Sequence, residues 1–183
     1  MSDFIIYDPQ SAPEKEARSL LGKTAERFGC IPNLLGSLAE SPPALEAYFA
    51  LESLFDKSCL SKVEKHVLLL TISRFHECSY CVSVHTAEGE HEDIPKAITT
   101  AIREDTPLTD SRLESLRTFT QVVLANRGHI TEQELNDFLK AGFNKREVLE
   151  VVLAVSYKVL SNFTNIIIKT PLDDHLDQYA WEQ

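Results

Sequence analysis

Helix start and stop signals recur along this chain at spacings that suit α-helices, and they restrict its fold more than any other feature. Three positions pair serine or threonine with a glutamate three residues later, the capping-box pattern of a helix N-terminus: Ser11 with Glu14, Ser61 with Glu64, and Thr131 with Glu134. Ser41 before Pro42 is a further start signal. Helix ends are indicated by three glycines: Gly29, Gly128 and Gly142.

Between these signals the apolar residues recur every three or four positions, as a helix with one buried face requires. The clearest run is Leu113, Leu116, Phe119 and Val123. Strand signals are almost absent, because Phe4–Tyr7 is too short to matter. The pattern predicts an all-α helical bundle of about eight to ten helices.

Length and charge restrict the organisation and the partners. We expect one domain over residues 1–183, with its core motif in roughly residues 45–95, because this length can bury a sizeable core. The 28 acidic and 18 basic residues give a net charge of −10, which argues against nucleic acid or an anionic membrane as a partner. No stretch looks long and apolar enough to span a bilayer, and Met1–Phe4 lacks a signal pattern, so we expect a cytoplasmic protein.

Two of the four cysteines lie close together and carry the chemistry. Cys78 and Cys81 are three residues apart, and His85 follows four residues later. On a helix, at about 100° per residue, Cys81 lies about 300° and His85 about 340° around from Cys78, so all three share one side. A thiol pair that can close to a disulfide beside an imidazole is suited to redox chemistry. Cys30 and Cys59 are interpreted as ordinary core thiols.

The residues alone give two arguments about which thiol attacks. A helix start near Cys78 would favour that thiolate, whereas His85 lies one turn after Cys81 and could serve it as a base. Proximity to the imidazole favours Cys81 as the nucleophile and Cys78 as the resolving thiol.

Other interpretations of the same segment stay open. Zinc could be held by the two thiols and His85 together with His76 or His91, although such sites usually join separate segments. The two cysteines could also be plain core residues. A shift of 83 residues places Leu70–Ser73 over Leu153–Ser156, which suggests an internal repeat of a helical hairpin.

The motif resembles a known family. Ser61 opening a helix, Cys78–Cys81 and His85 are similar to the alkylhydroperoxidase D-like, carboxymuconolactone decarboxylase family. Four flanking segments look like its peroxidase-related branch: Ile31–Leu34, Thr106–Leu108, Ser161–Asn165 and Thr170–Asp173. The resemblance implies an all-helical fold, assembly as trimers or hexamers, and peroxide reduction through the Cys-x-x-Cys disulfide with a histidine and a glutamate relaying protons.

Carried onto this sequence, the resemblance makes Cys81 the peroxidatic thiol, Cys78 the resolving thiol and His85 the relay histidine. The position of the relay glutamate is occupied by His66. His66 could approach the thiols only if the chain breaks near residues 76–79, because one straight helix would leave them about 18 Å apart. Glu77 is the better candidate for a substitute glutamate, and Glu64 a poor one.

The leading hypothesis is therefore a cytoplasmic thiol peroxidase that needs no metal or other cofactor. Its catalytic residues would be Cys81, Cys78, His85 and His66, with the imidazole of His66 titrating near 6.5 if unperturbed. Its partners would be a hydroperoxide, a dithiol or thioredoxin-like reductant, and further copies of the chain. The alternatives are lactone decarboxylation, suggested by the family name, and a non-enzymatic scaffold that is oligomeric or stabilised by zinc.

Overall fold

The computed structural model describes residues 4–182, except for the side chain of Phe28. Residues 1–3, on which the expectation about a signal pattern partly rests, lie outside the described residues. Nine α-helices and one 3-10 helix are present within this range: α1 (Lys15–Phe28), α2 (Asn33–Leu38), α3 (Pro42–Asp56), α4 (Lys62–Phe75), α5 (Ser79–His91), α6 (Lys96–Arg103), α7 (Ser111–Ala125), α8 (Glu132–Lys140), α9 (Lys145–Ile168) and the 3-10 helix Asp174–Tyr179. No strand occurs within residues 4–182, and the predicted all-α fold is confirmed.

The helix boundaries follow the capping signals at most positions. Ser61 and Thr131 each close a full capping box, with both reciprocal hydrogen bonds present. Gly29 ends α1 in the left-handed conformation, with φ of 74°. The start predicted at Ser11 is wrong, because α1 begins at Lys15 and the Ser11 hydroxyl instead donates to Asp8 at 2.7 Å.

Helix α4 lies at the centre of the bundle and packs against α5, α6, α7 and α9. Its apolar side is fully buried, and Val67, Leu68, Leu70 and Ile72 have no exposed surface. A second apolar cluster joins α1, α2 and α3 to the start of α5, and Cys78 and Cys81 belong to it. The two thiols are thus enclosed between the two halves of the core.

The chain reverses sharply between α4 and α5. Glu77 adopts a left-handed conformation, with φ of 56°, and Cys78 is the N-cap of α5. This is the break that the sequence requires if His66 is to approach α5. Gly89 of α5 lies directly against the His66 ring, where a Cβ atom would overlap the imidazole. The absence of a side chain at Gly89 therefore allows the two helices to pack closely.

The suggested hairpin repeat is wrong. The positions that match the turn between α4 and α5 fall inside α9, which runs unbroken from Lys145 to Ile168. The first copy bends because Cys78 caps a new helix there, whereas Ser161–Thr164 continues the helical hydrogen bonding.

Helix α9 corrects the expectation that no stretch of the chain is long and apolar enough to span a bilayer. By length and composition it could cross a membrane, although 44% of its apolar stretch is buried inside the protein. It packs against α2, α3, α4 and α5, and its buried side carries Lys158, Asn162 and Asn165. Within the described residues it serves as a core helix of the bundle.

The interpretation of Cys30 and Cys59 as core thiols is wrong, because both are exposed. The Cys59 thiol donates to Glu150 Oε2 at 3.1 Å. Both cysteines lie in connections just outside helix ends, where the chain is at the surface.

Candidate active site

The two thiols lie at the first turn of α5, shielded from solvent. Cys78 is 1% exposed and Cys81 is 2% exposed. The backbone N–H of Cys81 donates to Cys78 Sγ at 3.4 Å, so the N-cap position that is usually taken by serine or aspartate is filled by a thiol. Helix capping therefore holds the two sulfur atoms side by side.

The environments of the two thiols differ in a way that separates their roles. Burial would raise the pKa of Cys81, but the hydrogen bond from the Cys78 thiol and the charge of Lys158 outweigh it, and the pKa is lowered. The pKa of Cys78 is raised, because its thiol hydrogen-bonds to Cys81 and because it is buried. Both shifts favour the thiolate at Cys81 and the thiol at Cys78.

An amide from α9 completes the surroundings of Cys81. Asn165 Nδ2 donates to Cys81 Sγ at 3.2 Å, and Asn165 is 4% exposed. Asn162, one turn earlier, instead donates to the Ile72 carbonyl at 3.4 Å and contacts His76 Nδ1 at 3.1 Å. Of the two asparagines, Asn165 is the one that contacts the thiol.

His85 connects the thiol region to two charged groups. Its Nδ1 lies 2.6 Å from Glu88 Oε2, and its Nε2 lies 2.7 Å from Lys158 Nζ. A carboxylate accepts only, so Nδ1 carries a proton and donates to Glu88, and Nε2 accepts from the Lys158 ammonium. The result is a hydrogen-bonded chain from Glu88 through His85 to Lys158.

The side chain that contacts His85 Nδ1 is that of Glu88, and not that of His66 or Glu77. Partial desolvation by the surrounding protein would raise the pKa of Glu88, but the neighbouring His85 outweighs it and the pKa is lowered, so Glu88 is an anion. Its side chain is 56% exposed because it lines an open cavity. Glu77 lies exposed in the turn before α5.

His66 lies in the neighbourhood of the site but has a different partner. Its Nε2 is 2.9 Å from the Thr99 hydroxyl, and the ring is 8% exposed. Burial and the nearby His85 lower the pKa of His66 to about 4. The imidazole of His66 is therefore perturbed from the value near 6.5 that applies to an unperturbed histidine. Glu64, also considered as a relay group, caps α4 and pairs with Arg112 at 2.9 Å.

A cavity of about 940 Å³ opens beside this hydrogen-bonded chain. His85 and Glu88 line it, as does Tyr80, whereas the two thiols lie behind its wall. Its apolar lining includes aromatic and aliphatic side chains: Leu34, Leu35, Tyr48, Phe55, Leu69, Val84, Tyr157 and Leu176. The cavity can hold an organic molecule much larger than hydrogen peroxide.

Tyr80, between the two cysteines, ties distant segments to the start of α5. Its hydroxyl donates to Asp173 Oδ2 at 2.6 Å and accepts from the backbone N–H of Leu34 at 3.3 Å. Asp173 also accepts from the backbone N–H of Asn33 at 3.0 Å. Two of the flanking segments singled out in the sequence, Ile31–Leu34 and Thr170–Asp173, therefore meet at the thiol motif.

The residues considered as zinc ligands do not converge. Across the described residues 4–182, no group of three or more His, Cys, Asp or Glu side chains is arranged to hold a metal ion. His76 instead contacts Asn162, and its ring lies 5.0 Å from that of Phe163. His91 lines the cavity.

Solved structures share this architecture. An uncharacterized peroxidase-related protein from Ralstonia eutropha JMP134, described as an alkylhydroperoxidase AhpD core, superposes with a TM-score of 0.82 at 20% identity, covering 96% of this chain and 94% of that one. A peroxidase-related protein from Silicibacter sp. TM1040 gives a TM-score of 0.79 at 20% identity, covering 95% and 92%. The chain thus has the all-helical fold of the alkylhydroperoxidase D core, as the resemblance implied.

The same fold also occurs in a protein with a different reaction. The debrominase Bmp8, in a cysteine-to-alanine variant bound to 2,3,4-tribromopyrrole, gives a TM-score of 0.77 at 11% identity, covering 98% of this chain and 97% of that one. No protein-family model and no curated protein matched this chain.

The spacing of three residues between His85 and Glu88 allows the pair that the structure shows. Sequence reasoning missed Lys158, and it did not recognise Asn165 as a contact of the thiol. One signal was available. Lys158, Asn162 and Asn165 interrupt an otherwise apolar helix at intervals of four and three, so they share one side of α9. Polar residues on the buried side of a helix need partners. Lys158 and Asn165 find theirs on the thiol helix α5, and Asn162 finds its partners at the end of α4.

Proposed function

We propose that this protein is a thiol peroxidase that reduces organic hydroperoxides through Cys81 and Cys78. The observation that supports this most strongly is the asymmetry of the thiol pair: Cys81 receives hydrogen bonds from Cys78 and Asn165, and these favour its thiolate. The peroxidase-related solved proteins with this fold are consistent with the proposal.

In the proposed reaction the Cys81 thiolate attacks the terminal peroxide oxygen. The O–O bond breaks, Cys81 becomes a sulfenic acid, and the alkoxide leaves as an alcohol after taking one proton. The Cys78 thiol then attacks the Cys81 sulfur, which forms the disulfide and releases water. An external dithiol or thioredoxin-like reductant supplies two electrons and two protons to restore both thiols.

The hydrogen-bonded groups around His85 support a proposed path for proton transfer at the cavity wall. Glu88 is open to the cavity, whereas Lys158 is 3% exposed, and His85 bridges the two. Protons can therefore exchange with solvent through Glu88 without exposing the thiols to water.

The proposal is tested by hydroperoxide consumption with dithiothreitol as reductant. The wild-type protein should turn over cumene hydroperoxide, and Cys81→Ser should match the uncatalysed rate. Cys78→Ser should be slowed more mildly, because the added thiol can reduce the sulfenic acid directly. The exposed Cys59→Ser variant is the matched control and should retain full activity. Equal rates for Cys81→Ser and wild type would contradict the proposal.

A second candidate reaction is reductive removal of a halogen from an aromatic ring. It is favoured by the aromatic lining of the cavity and by the fold shared with the debrominase Bmp8. The two thiols would supply two electrons, so that an aryl bromide and two thiols give the arene, bromide, a proton and a disulfide. Bromide release from 2,3,4-tribromopyrrole in the presence of dithiothreitol tests it, and no release above that of Cys81→Ser would exclude it.

We further propose that the protein forms a homo-oligomer through α9. One side of this helix exposes large apolar residues: Leu149, Val152, Phe163, Ile166 and Ile167. Ile167 is 72% exposed and Leu149 70%. An apolar stripe of this length on one helix is typical of a protein–protein contact.

A further inference from the structure

We propose that Lys158 is the cation that keeps Cys81 ionised, and that His85 positions Lys158 rather than removing the Cys81 proton itself. The inference rests on the proposed role of Cys81 as the nucleophile. In this inference Lys158 stabilises the Cys81 thiolate by its charge, whereas the sequence suggested the imidazole of His85 as a base for that thiol.

The hydrogen bonds of His85 leave it no free nitrogen for Cys81. Nδ1 is 2.6 Å from Glu88, and Nε2 is 2.7 Å from Lys158 Nζ. With Glu88 ionised, Nδ1 must carry a proton, and Nε2 then accepts from Lys158. To take a proton from Cys81, the ring would have to give up one of these two short contacts.

The ammonium group of Lys158 is buried, and a buried positive charge needs a negative charge nearby. Lys158 is 3% exposed, and a buried ammonium is costly unless another charge compensates it. Glu88 faces the open cavity with 56% of its side chain exposed, so water solvates part of its charge. Cys81 is 2% exposed and lies one helical turn before His85, the residue that Lys158 contacts, so the charge of Lys158 acts on the buried thiol. The two charges therefore stabilise each other.

The helix geometry explains why Lys158 and Asn165 act on neighbouring positions of α5. They are seven residues apart, so they lie on the same side of α9. Asn165 contacts Cys81 and Lys158 contacts His85, and these partners are four residues apart on α5. Helix α9 thus presents one neutral donor and one cation to the thiol side of α5.

Other titratable groups also surround Lys158, and any pH dependence must take them into account. The groups that interact with Lys158 itself are His76 at the end of α4, Cys78, Cys81, His85 and Glu88 of the α5 segment, and Tyr157 of α9. Glu52 and Tyr48 of α3 interact with Tyr157, and His66 of α4 with His85. The Tyr157 ring centroid is 5.6 Å from Lys158 Nζ. Of the two thiols, Cys81 is the one whose pKa is lowered, so a titration of thiolate absorbance reports mainly on Cys81.

The test is a pH titration of thiolate absorbance at 240 nm in a Cys30→Ser, Cys59→Ser background, which leaves the buried pair as the absorbing thiols. Lys158→Met should shift the ionisation midpoint of Cys81 upward by about two pH units, as expected when a buried charge loses its counter-ion. Lys158→Arg, which keeps the charge, should stay closer to wild type. Lys62→Met is the matched control, because Lys62 also lies at the cavity but pairs with Glu92. The ionisation midpoint of Cys81 should not move in that variant.

The rate of peroxide reduction supplies an independent readout. At pH 7, Lys158→Met should be slowed roughly tenfold or more and should recover at alkaline pH, where the thiolate forms without help. A structural defect would not be repaired by alkali.

A Cys81 midpoint unchanged in Lys158→Met would overturn the inference. If that variant does not fold, the same titration of Lys158→Gln decides in the same way. Because the titration uses no peroxide, an unchanged midpoint with intact turnover would reject only this inference. A shifted midpoint without turnover would instead reject the proposed function.

Discussion

Cys78 and Cys81 have almost the same burial, so their different chemistry must come from hydrogen bonds and charge. Cys78 caps the helix and donates its thiol proton, whereas Cys81 receives the Asn165 amide and the field of Lys158. Local sequence places the pair at a helix start, and the contacts from α9 add support for Cys81 as the proposed nucleophile. These contacts depend on tertiary packing.

At the residue scale, Asn165→Ala should slow reaction of Cys81 by roughly tenfold. The amide donates to a charged sulfur, and such hydrogen bonds contribute about 1.5–3 kcal/mol. The measurement is the second-order rate with cumene hydroperoxide in a single turnover. Asn162→Ala is the matched control, because Asn162 bonds the Ile72 carbonyl and His76. Its rate should be near wild type, and equal losses in both variants would contradict the assignment.

His66 gives a second prediction at this scale, about stability. Between pH 6.5 and 4 the unfolded chain binds a proton at this imidazole that the folded protein does not, so stability falls as the pH is lowered through that window. The lowered pKa of His66 corresponds to a loss of roughly 3 kcal/mol in the free energy of unfolding at the acidic end of this window. Urea unfolding at pH 7 and pH 4 should show a larger loss for wild type than for His66→Gln. Identical losses would show that His66 is not buried in its neutral form.

At the scale of elements, the reversal between α4 and α5 positions the site. It brings His66 beside Gly89, and it makes Cys78 the N-cap of a new helix. The sequence shows the capping signals and the thiol spacing. It does not show how closely the two helices approach, because that depends on the missing side chain at Gly89 and on packing at α6.

Gly89→Ala should therefore destabilise the protein by about 1–3 kcal/mol, because the added Cβ would overlap the His66 ring in a packed interface. Gly22→Ala is the matched control. It lies in α1 with no atom near the added Cβ, so it should stabilise by about 0.5–1 kcal/mol through helix propensity. Thermal or urea unfolding gives both values. A Gly89→Ala variant as stable as wild type would show that α4 and α5 can separate freely.

At the scale of the whole molecule, helix content and chain reversals could be predicted from the sequence, while the surroundings of the thiols could not. Capping boxes and apolar spacing are local, and Ser61 and Thr131 behaved as predicted. Lys158 lies 73 residues from its partner His85, and Asn165 lies 84 from Cys81, so no local pattern connects them. Cys30 and Cys59 were misplaced for the same reason, because exposure depends on how helices pack.

The exposed apolar side of α9 yields a prediction about assembly. Ile167→Glu places a charge on that side and should convert a homo-oligomer to a monomer, as measured by light scattering after size exclusion. Leu54→Glu is the matched control, since Leu54 is also exposed, at 52%, but lies on α3. A monomeric wild-type protein, or an oligomer that persists in Ile167→Glu, would contradict the proposed contact.

The most direct test of the central claim is a single turnover of the reduced protein with one equivalent of cumene hydroperoxide, followed by mass spectrometry of the peptides. The account predicts a disulfide between Cys78 and Cys81 in the wild type, and a dimedone adduct on Cys81 in Cys78→Ser. It also predicts no oxidation at Cys78 in Cys81→Ser. Oxidation of Cys78 in the absence of Cys81, or a wild-type protein that leaves the hydroperoxide intact, would contradict the account.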